Sequence, residues 1–215
     1  NTLARFSARE YKLVLYNQIR RSPSSNILVV NYDNFKCGRL AGEELVRQGH
    51  TKIAHVTGEP NKLSVQDRLE GFETALTAAG IPFDRSRYLE YGAFNRRSGG
   101  YGATMRLLER NRDDLPTALC AGSATMLMGT FEAIRDLGLR IPEDISLIGI
   151  DNVDTAIYTT PPLSIVSTSC EEIAKLTVAH LIELVEQGSS SCYDFVIPDV
   201  TLELRSSIRT ISPDE

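Results

Sequence analysis

The sequence predicts an α/β fold in which parallel sheets are flanked by helices. From residue 27 onward, short runs rich in β-branched residues alternate with stretches whose apolar residues recur at helical spacing. Such alternation is typical of βα units. The 215 residues, 42% of them hydrophobic, can bury roughly 70% of the surface of the unfolded chain, which suits one or two globular lobes. A disordered chain is therefore not expected.

Each expected helix carries an apolar face, and most are followed by a glycine that can end a helix. Leu45 lies on the apolar face of the first helix and Gly49 ends it; Phe72 and Gly80 have the same roles in the second. The fourth helix ends near Gly138. The last helix has an apolar stripe made of Ile173, Leu176, Leu181 and Leu184. The expected helices are 35–48, 64–79, 98–111, 124–136 and 171–187.

The strands are expected between these helices, as short runs of the kind found in buried parallel sheets. Residues 160–162, Thr-Pro-Pro, interrupt the alternation, because proline fixes φ and lacks an amide donor. Residues 163–166 then resume as an extended crossing segment, so we expect a boundary between lobes near residue 160. The expected strands are 13–16, 27–32, 52–57, 87–91, 117–121, 146–150, 194–197 and 201–205.

Charge and cysteine content exclude several classes of protein. The formal net charge is −5, so these residues offer no long-range positive field for a phosphate backbone. The four cysteines, Cys37, Cys120, Cys170 and Cys192, form no Cys-x-x-Cys pair, which argues against a zinc site or a disulfide framework. Without a membrane-length apolar run or a signal-peptide pattern, we expect a reducing cytoplasm.

Polar groups follow several of the expected strands. In an open parallel sheet, ligands bind beyond the carboxyl ends of the strands. Ser64 and Arg68 lie on one face of the helix after the strand at 52–57, and Phe94, Ser123 and Asp151 follow three later strands. An arginine, a carboxylate, hydroxyls and an aromatic ring suit a small polyhydroxyl or heteroaromatic ligand.

Each of these residues also has a purely structural interpretation. Arg68 could form a surface ion pair with Asp67 or Glu70, Asp151 could cap a turn, and Phe94 could anchor a loop on the core. Ser123 could simply cap the following helix. The pattern alone leaves these alternatives open.

The chain lacks catalytic and metal-binding signatures. No nucleophile elbow, zinc-protease helix, phosphate loop or dinucleotide fingerprint is present. His50 and His55 flank a strand without a third metal-type partner, and His180 lies in an apolar helix, so all three are interpreted as structural. We expect binding rather than catalysis, with no cofactor and no metal.

The chain resembles the effector domain of the LacI/GalR transcriptional regulators over about residues 12–208. Several motifs occur in the order and spacing of that family, although each alone is weak. They are VNYDN at 30–34, GHTKIA at 49–54, SVQDRLEGF at 64–72, IPEDISLIGIDN at 141–152, PPLS at 161–164 and LRSS at 204–207.

The resemblance implies a two-lobed, periplasmic-binding-protein-like (type I) fold with an incomplete N-terminal lobe, in which a sugar-like effector binds between the lobes. Residues 1–34 would be the remnant of the N-terminal lobe and 35–160 the C-terminal, effector-binding lobe. Residues 161–198 would return to the N-terminal lobe, and 199–215 would supply the last strand and tail of the C-terminal lobe. The helix-turn-helix head would lie outside this chain.

The resemblance also implies site residues. Arg68 and Asp151 would grip the effector, Ser64 would lie at the pocket edge, and Phe94 would stack on the ligand. The family usually has Asn-Asp where this chain has Ser123-Ala124. The site therefore has one fewer acidic acceptor than typical sugar sensors, which would leave a ligand hydroxyl unpaired at a cost of roughly 1–3 kcal/mol. A smaller, more anionic or more aromatic effector is an open alternative.

As a regulator of this family, the protein would bind operator DNA only through the missing head, would form a homodimer and would not bind membranes. A periplasmic sugar-binding protein of the same fold is the first alternative, distinguished by a signal peptide upstream in place of a DNA-binding head. A Rossmann-type enzyme is the second, and it predicts a glycine-rich phosphate loop after the first strand.

Overall fold

The computed structural model describes residues 11–17, 22, 24–93, 97–151, 154–189 and 193–212. Its strands are β1 Leu13–Tyr16, β2 Ile27–Tyr32, β3 Ile53–Thr57, β4 Leu89–Tyr91, β5 Ala118–Ala121, β6 Ser146–Ile150, β7 Ser164–Thr168, β8 Asp194–Ile197 and β9 Val200–Glu203. Its helices are α1 Asn34–Arg47, α2 Leu63–Ala78, α3 Arg85–Tyr88, α4 Arg97–Arg110, α5 Ala124–Asp136 and α6 Cys170–Gln187, with a 3₁₀ helix at Asp154–Tyr158.

The strands form two sheets. A three-stranded parallel sheet has the order β1-β2-β8, and a six-stranded sheet has the order β4-β3-β5-β6-β7-β9. In the larger sheet, β3 pairs in parallel with β4 and β5, and β6 pairs in parallel with β5 and β7. The predicted α/β class with parallel sheets and flanking helices is confirmed.

The strand expected at residues 87–91 is shorter in the structure. Residues 87–91 were expected to be extended, but the strand begins only at Leu89, and α3 precedes it. The reason is local: Asp84 caps this helix, with its Oδ1 accepting a hydrogen bond from the Ser86 amide at 2.9 Å. The strand-like pattern of residues 87–91 did not reveal the cap.

The chain divides into two compact units. The first contains Asn1–Asp33 and Thr168–Val200, and the second contains Asn34–Ser167 and Thr201–Glu215. Residues 161–167 were expected to belong to the segment that returns to the N-terminal lobe. They lie instead in the second unit, because β7 pairs with β6 in the six-stranded sheet.

In the second unit, helices cover both faces of the sheet. Ala54 and Val56 of β3 join the core cluster formed with α4 and α5, to which Leu107 and Leu127 also belong. Since side chains alternate along a strand, His55 points to the opposite face, where its ring lies 4.8 Å from that of Phe72 in α2. The sheet is therefore buried on both faces.

The backbones of helices α1 and α2 are in direct contact. A Cβ atom on Gly38 would lie 1.8 Å from the carbonyl oxygen of Arg68, and one on Gly71 would lie 2.0 Å from the carbonyl oxygen of Phe35. Because glycine has no side chain at these two positions, the middle of α2 lies directly against the start of α1. This contact positions the side chain of Arg68.

The C-terminal segment is held at the amino-terminal edge of the sheet by His50. The buried ring contacts the Thr117 hydroxyl through Nδ1 at 2.9 Å and the Arg209 carbonyl oxygen through Nε2 at 3.1 Å. Ile211 also donates its amide hydrogen to the Gln48 carbonyl at 2.7 Å. Burial lowers the pKa of His50 to about 4, an effect that the hydrogen bond to Arg209 opposes. His50 therefore has the structural role predicted for it.

In the first unit, α6 begins at its cap Ser169, whose hydroxyl accepts the Glu172 amide hydrogen bond at 3.2 Å, and ends at Gly188 with φ 74°. The predicted apolar stripe is only partly correct, since Ile173 and Leu184 are buried whereas Leu176 is exposed. Among the described residues, we find no helix that is both long and apolar enough to cross a membrane.

Candidate ligand-binding site

Arg68 lies in the middle of α2 with a side chain that is only 1% exposed. Its Nε donates to Asn34 Oδ1 at 3.0 Å, and its Nη1 donates to the carbonyl oxygen of Gly122 at 2.5 Å. Two further bonds go to Asp151, from Nη1 to Oδ2 at 3.0 Å and from Nη2 to Oδ1 at 2.7 Å. The interpretation of Arg68 as one half of a surface ion pair is therefore wrong.

Asp151 follows directly after β6, at the carboxyl end of that strand. Its carboxylate accepts hydrogen bonds from both terminal nitrogens of Arg68, so the two side chains form a bidentate ion pair. The two residues are 83 positions apart in the sequence. The φ of Asp151 is 89°, a value that residues other than glycine seldom adopt, and its amide donates to the Val166 carbonyl at 2.9 Å. Its carboxylate side chain remains 26% exposed. The structure thus joins the two residues predicted to be central, and Asp151 is the one that solvent reaches.

Two other groups that hold Arg68 were not predicted from the sequence. Asn34 is buried and is the first residue of α1, directly after β2 and Asp33. The rule that strand ends carry functional groups could have found it, had the rule been applied to this strand. The second group is the backbone carbonyl of Gly122, which no side-chain pattern can reveal.

The two serines predicted for the site, Ser64 and Ser123, are close in sequence to groups of the Arg68 network. Ser64 is buried in the first turn of α2, one helical turn before Arg68. Ser123 directly follows Gly122 and is also buried, and its Oγ accepts a long hydrogen bond of 3.4 Å from the Met126 amide as the cap of α5. The capping interpretation of Ser123 is confirmed, and contact of either serine with a ligand remains a prediction.

Phe94, the predicted aromatic partner, lies outside the described residues. The described chain comes close to it on both sides, ending at Ala93 and resuming at Arg97. Its stacking role therefore remains a prediction.

A polar hydroxyl also lies at the carboxyl end of β3. Thr57 Oγ1 is buried and has no hydrogen-bond partner among the described residues. A Cβ on Gly122 would lie 2.6 Å from it, so Gly122 leaves room for this hydroxyl. Thr57 was not predicted as a site residue, because it is the last residue of β3 and the strand-end rule points to the loop that follows the strand.

The buried titratable groups beneath the site are uncharged. Burial lowers the pKa of His55 to about 3. Burial also raises the pKa of the Cys120 thiol far above its usual range, and the charge of Arg68 opposes that shift. Neither group is a reactive nucleophile or base at neutral pH. Within the described ranges, no three His, Cys, Asp or Glu residues are placed to hold a metal ion.

A cavity of about 570 Å³ lies elsewhere in the second unit, lined by residues of α4, α5 and the 3₁₀ helix. Its cation Arg97 donates from Nε to Glu132 Oε2 at 2.7 Å, and its cation Arg135 lies 5.5 Å from the centre of the Phe131 ring. We place the candidate site at Arg68 and Asp151 instead, because Arg68 is buried and Asp151 directly follows β6, whereas the side chain of Arg97 is mostly exposed.

Residues 43–208 match the family model described as periplasmic binding protein-like domain. The chain is 35% identical over 191 residues to the HTH-type transcriptional repressor PurR of Haemophilus influenzae strain PittEE, covering 88% of this chain and 56% of that protein. It is 34% identical over 174 residues to the ribose operon repressor of Haemophilus influenzae strain Rd, covering 81% of this chain and 51% of that one. The chain thus spans about half the length of these relatives.

Solved structures give the same picture. A LacI family transcriptional regulator from Enterococcus faecium with bound ribose superposes with a TM-score of 0.81 at 29% identity, covering 93% of this chain and 71% of that one. The transcriptional regulator CelR in complex with cellobiose superposes with a TM-score of 0.80 at 28% identity, covering 90% and 58%. These matches confirm the resemblance that the motif series indicated.

Proposed function

This chain belongs to the periplasmic binding protein-like domain family, and we propose that it is the effector-sensing part of a LacI-family transcriptional repressor. The names of its relatives, PurR and the ribose operon repressor, favour a regulator over a transport protein. The ligands in related structures, ribose and cellobiose, favour a small sugar-like effector.

The observation that carries the proposal is the Arg68–Asp151 pair at the strand ends, with Nη2 and Oδ1 2.7 Å apart. A fixed carboxylate that is partly exposed can accept directed hydrogen bonds from a ligand hydroxyl or N–H group. Ser64 and Ser123 would supply hydroxyls beside it, and Phe94 would supply an aromatic face. These five residues form the proposed effector site.

We propose binding without catalysis, and no cofactor. The relatives are regulators, and the buried His55 and Cys120 near the site are held in their neutral, unreactive forms. Free energy of ligand binding would be used to shift the protein between conformations, as in other ligand-controlled switches.

The remaining partners belong to the whole repressor. Operator DNA would bind through a head domain outside these residues, and two copies would pair so that their heads contact DNA together. Effector binding would change the arrangement of those heads. We place such a repressor in the cytoplasm, where it meets DNA, and we expect no membrane partner.

A ligand screen tests the proposal. Thermal unfolding of the chain is measured with D-ribose, cellobiose, nucleosides and small organic acids, because a ligand that binds only the folded state stabilises it by about 2.7 kcal/mol at 100 times its Kd. A saturable rise in Tm is expected for at least one compound of the sugar or nucleoside class.

Two variants then locate the site. Arg68→Ala and Asp151→Ala should each abolish the rise in Tm, whereas Arg87→Ala, which removes an exposed arginine paired with Asp114, should retain it. The proposal would be contradicted if no compound in the panel bound to the chain. It would also be contradicted if a ligand bound to all three variants with equal affinity.

A further inference from the structure

Strand β4 forms one edge of the six-stranded sheet. Among the described strands it pairs only with β3, in parallel and with Tyr91 opposite Thr57. The Gly92 amide donates to the Thr57 carbonyl at 2.8 Å and so points towards β3. Because backbone groups alternate in direction along a parallel strand, those of Glu90 also point towards β3. The carbonyls of Leu89 and Tyr91 therefore point away from the sheet, along its open edge.

An open edge of this kind is a template for another strand. Its unpaired carbonyl and amide groups can form hydrogen bonds with an extended segment of a second molecule, and the two sheets then join into one. A second copy of this chain presents the same edge, so two copies could pair through β4 and its counterpart. Proteins avoid such pairing by placing charged side chains or a covering segment along the edge.

Two arginines of α4 donate hydrogen bonds to the carbonyls at this edge. Arg106 donates from Nη2 to the Tyr91 carbonyl at 2.9 Å, and Arg110 donates from Nη2 to the Leu89 carbonyl at 3.1 Å. Arg110 also donates to the Arg87 carbonyl, from Nε at 3.3 Å and from Nη2 at 3.1 Å. The carbonyls of residues 87, 89 and 91 are spaced two positions apart, and each of them accepts from a guanidinium.

Glu90 holds both arginines in place. Arg106 and Arg110 lie one turn apart on the same face of α4. Glu90 Oε1 accepts from Arg106 Nε at 3.1 Å, and its Oε2 accepts from Arg110 Nη1 at 2.7 Å. The side chains of the two arginines are 57% and 37% exposed, and exposed ion pairs add little to stability. Their position is better explained by the carbonyls that they cover.

We propose that Arg106 and Arg110, held by Glu90, close the edge of β4 and keep a second copy of this chain from adding its own edge strand there. The guanidiniums satisfy the outward carbonyls with charge-assisted hydrogen bonds, so a second copy must displace both before its strand can pair. In the sheet, β3 and β5 separate β4 from β6, which precedes Asp151. The closed edge is therefore independent of the proposed effector site.

Arg106→Ala/Arg110→Ala tests the proposal. Without the two guanidiniums, the outward carbonyls can pair with another strand, so self-association should be at least about tenfold tighter than that of the unmodified chain. Sedimentation equilibrium measures it over a series that reaches high protein concentration, because β4 is a short strand. Arg97→Ala/Arg112→Ala is the matched control, since it removes the same charge from two exposed arginines that pair with carboxylate side chains. This control should associate no more tightly than the unmodified chain.

A proline shows whether the association uses β4. The Tyr91 amide points away from β3, so Tyr91→Pro removes a donor of the open edge and leaves the hydrogen bonds to β3 in place. Added to Arg106→Ala/Arg110→Ala, it should return self-association to the level of the unmodified chain. Tyr91→Ala in the same background is the control, because it removes the same side chain but keeps the amide. That variant should still associate.

Three results would overturn the proposal. The first is a double variant, Arg106→Ala/Arg110→Ala, that associates no more tightly than the unmodified chain. The second is equal association of this variant and Arg97→Ala/Arg112→Ala, and the third is an equal effect of Tyr91→Pro and Tyr91→Ala. Should circular dichroism show that the double variant does not fold, Arg106→Ala decides the matter, because it frees the Tyr91 carbonyl alone. It must then associate more tightly than Arg97→Ala.

Discussion

Gly38 of α1 and Arg68 of α2 meet at their backbones: a Cβ atom on Gly38 would lie 1.8 Å from the Arg68 carbonyl oxygen. Two helices can approach this closely only where a side chain is missing. The relationship matters beyond packing, because the side chain of Arg68 carries the buried ion pair with Asp151.

Gly38→Ala should therefore be destabilising by about 1–3 kcal/mol, since the added methyl group must push α2 away from α1. Urea unfolding followed by circular dichroism measures the effect. Gly102→Ala in α4 is the control, because its added Cβ would lie 3.5 Å from Arg106 Nη1, an ordinary contact. That variant should gain about 0.5–1 kcal/mol from the better helix propensity of alanine. Equal effects of the two changes would contradict the tight contact.

Asn34→Leu should lower both stability and ligand affinity. It leaves the buried Nε–H of Arg68 without its acceptor, at a cost of about 1–3 kcal/mol to the free energy of unfolding. Asn111→Leu is the matched control, since buried Asn111 accepts from Arg87 Nε at 2.9 Å in the same way, away from the site. Titration calorimetry with any ligand found in the screen should show weaker binding only for Asn34→Leu. A comparable loss in both variants would mean that Asn34 acts only through stability.

The stability of the protein should fall as the pH decreases from about 6.5 towards 3. The ordinary pKa of histidine is 6.5, whereas burial lowers that of His50 to about 4 and that of His55 to about 3 in the folded protein. Between these values, the unfolded chain binds protons that the folded chain does not, so acid favours unfolding and full stability is present above pH 6.5. Each such proton contributes a slope of about 1.4 kcal/mol per pH unit.

His55→Leu separates this contribution from others. In this variant, the free energy of unfolding should still depend on pH because of His50. The number of protons taken up on unfolding should be smaller by up to one, so the slope should be smaller as well. Urea unfolding at a series of pH values between about 4 and 7 provides the slopes. An unchanged slope would mean that His55 binds protons equally in the folded and unfolded states, which would contradict the lowered pKa.

Thr57→Val should raise the stability of the ligand-free protein by about 1 kcal/mol, because the buried hydroxyl has no hydrogen-bond partner among the described residues. Thr104→Val is the control: that buried hydroxyl donates to the Gly100 carbonyl at 2.8 Å and contacts the Thr130 hydroxyl at 2.9 Å, so its loss should be destabilising. Thermal unfolding of the two variants decides the matter. A loss of stability in Thr57→Val would show that its hydroxyl is paired in solution.

The sequence by itself determined the α/β class and the family, and it singled out the two residues, Arg68 and Asp151, that the structure joins in an ion pair. Alternation of β-branched runs with helical patterns is a local property, since it reflects which side chains must be buried on each face. Likewise, Arg68 and Asp151 were found because residues just after parallel strands lie at one edge of a sheet, whatever the details of packing. The short helix at Arg85–Tyr88, which Asp84 caps, and the exposed Leu176 show where local patterns mislead.

Only the tertiary structure decided how these residues work. No pattern in the sequence shows that Arg68 is buried while Asp151 is partly exposed, because burial depends on the fold that brings these two residues together across 83 positions of sequence. Nor does any pattern reveal the Gly122 carbonyl as an acceptor, since every residue has one and only the fold chooses among them. The chemistry of the site was thus visible in the residue types, and its charge balance came from packing.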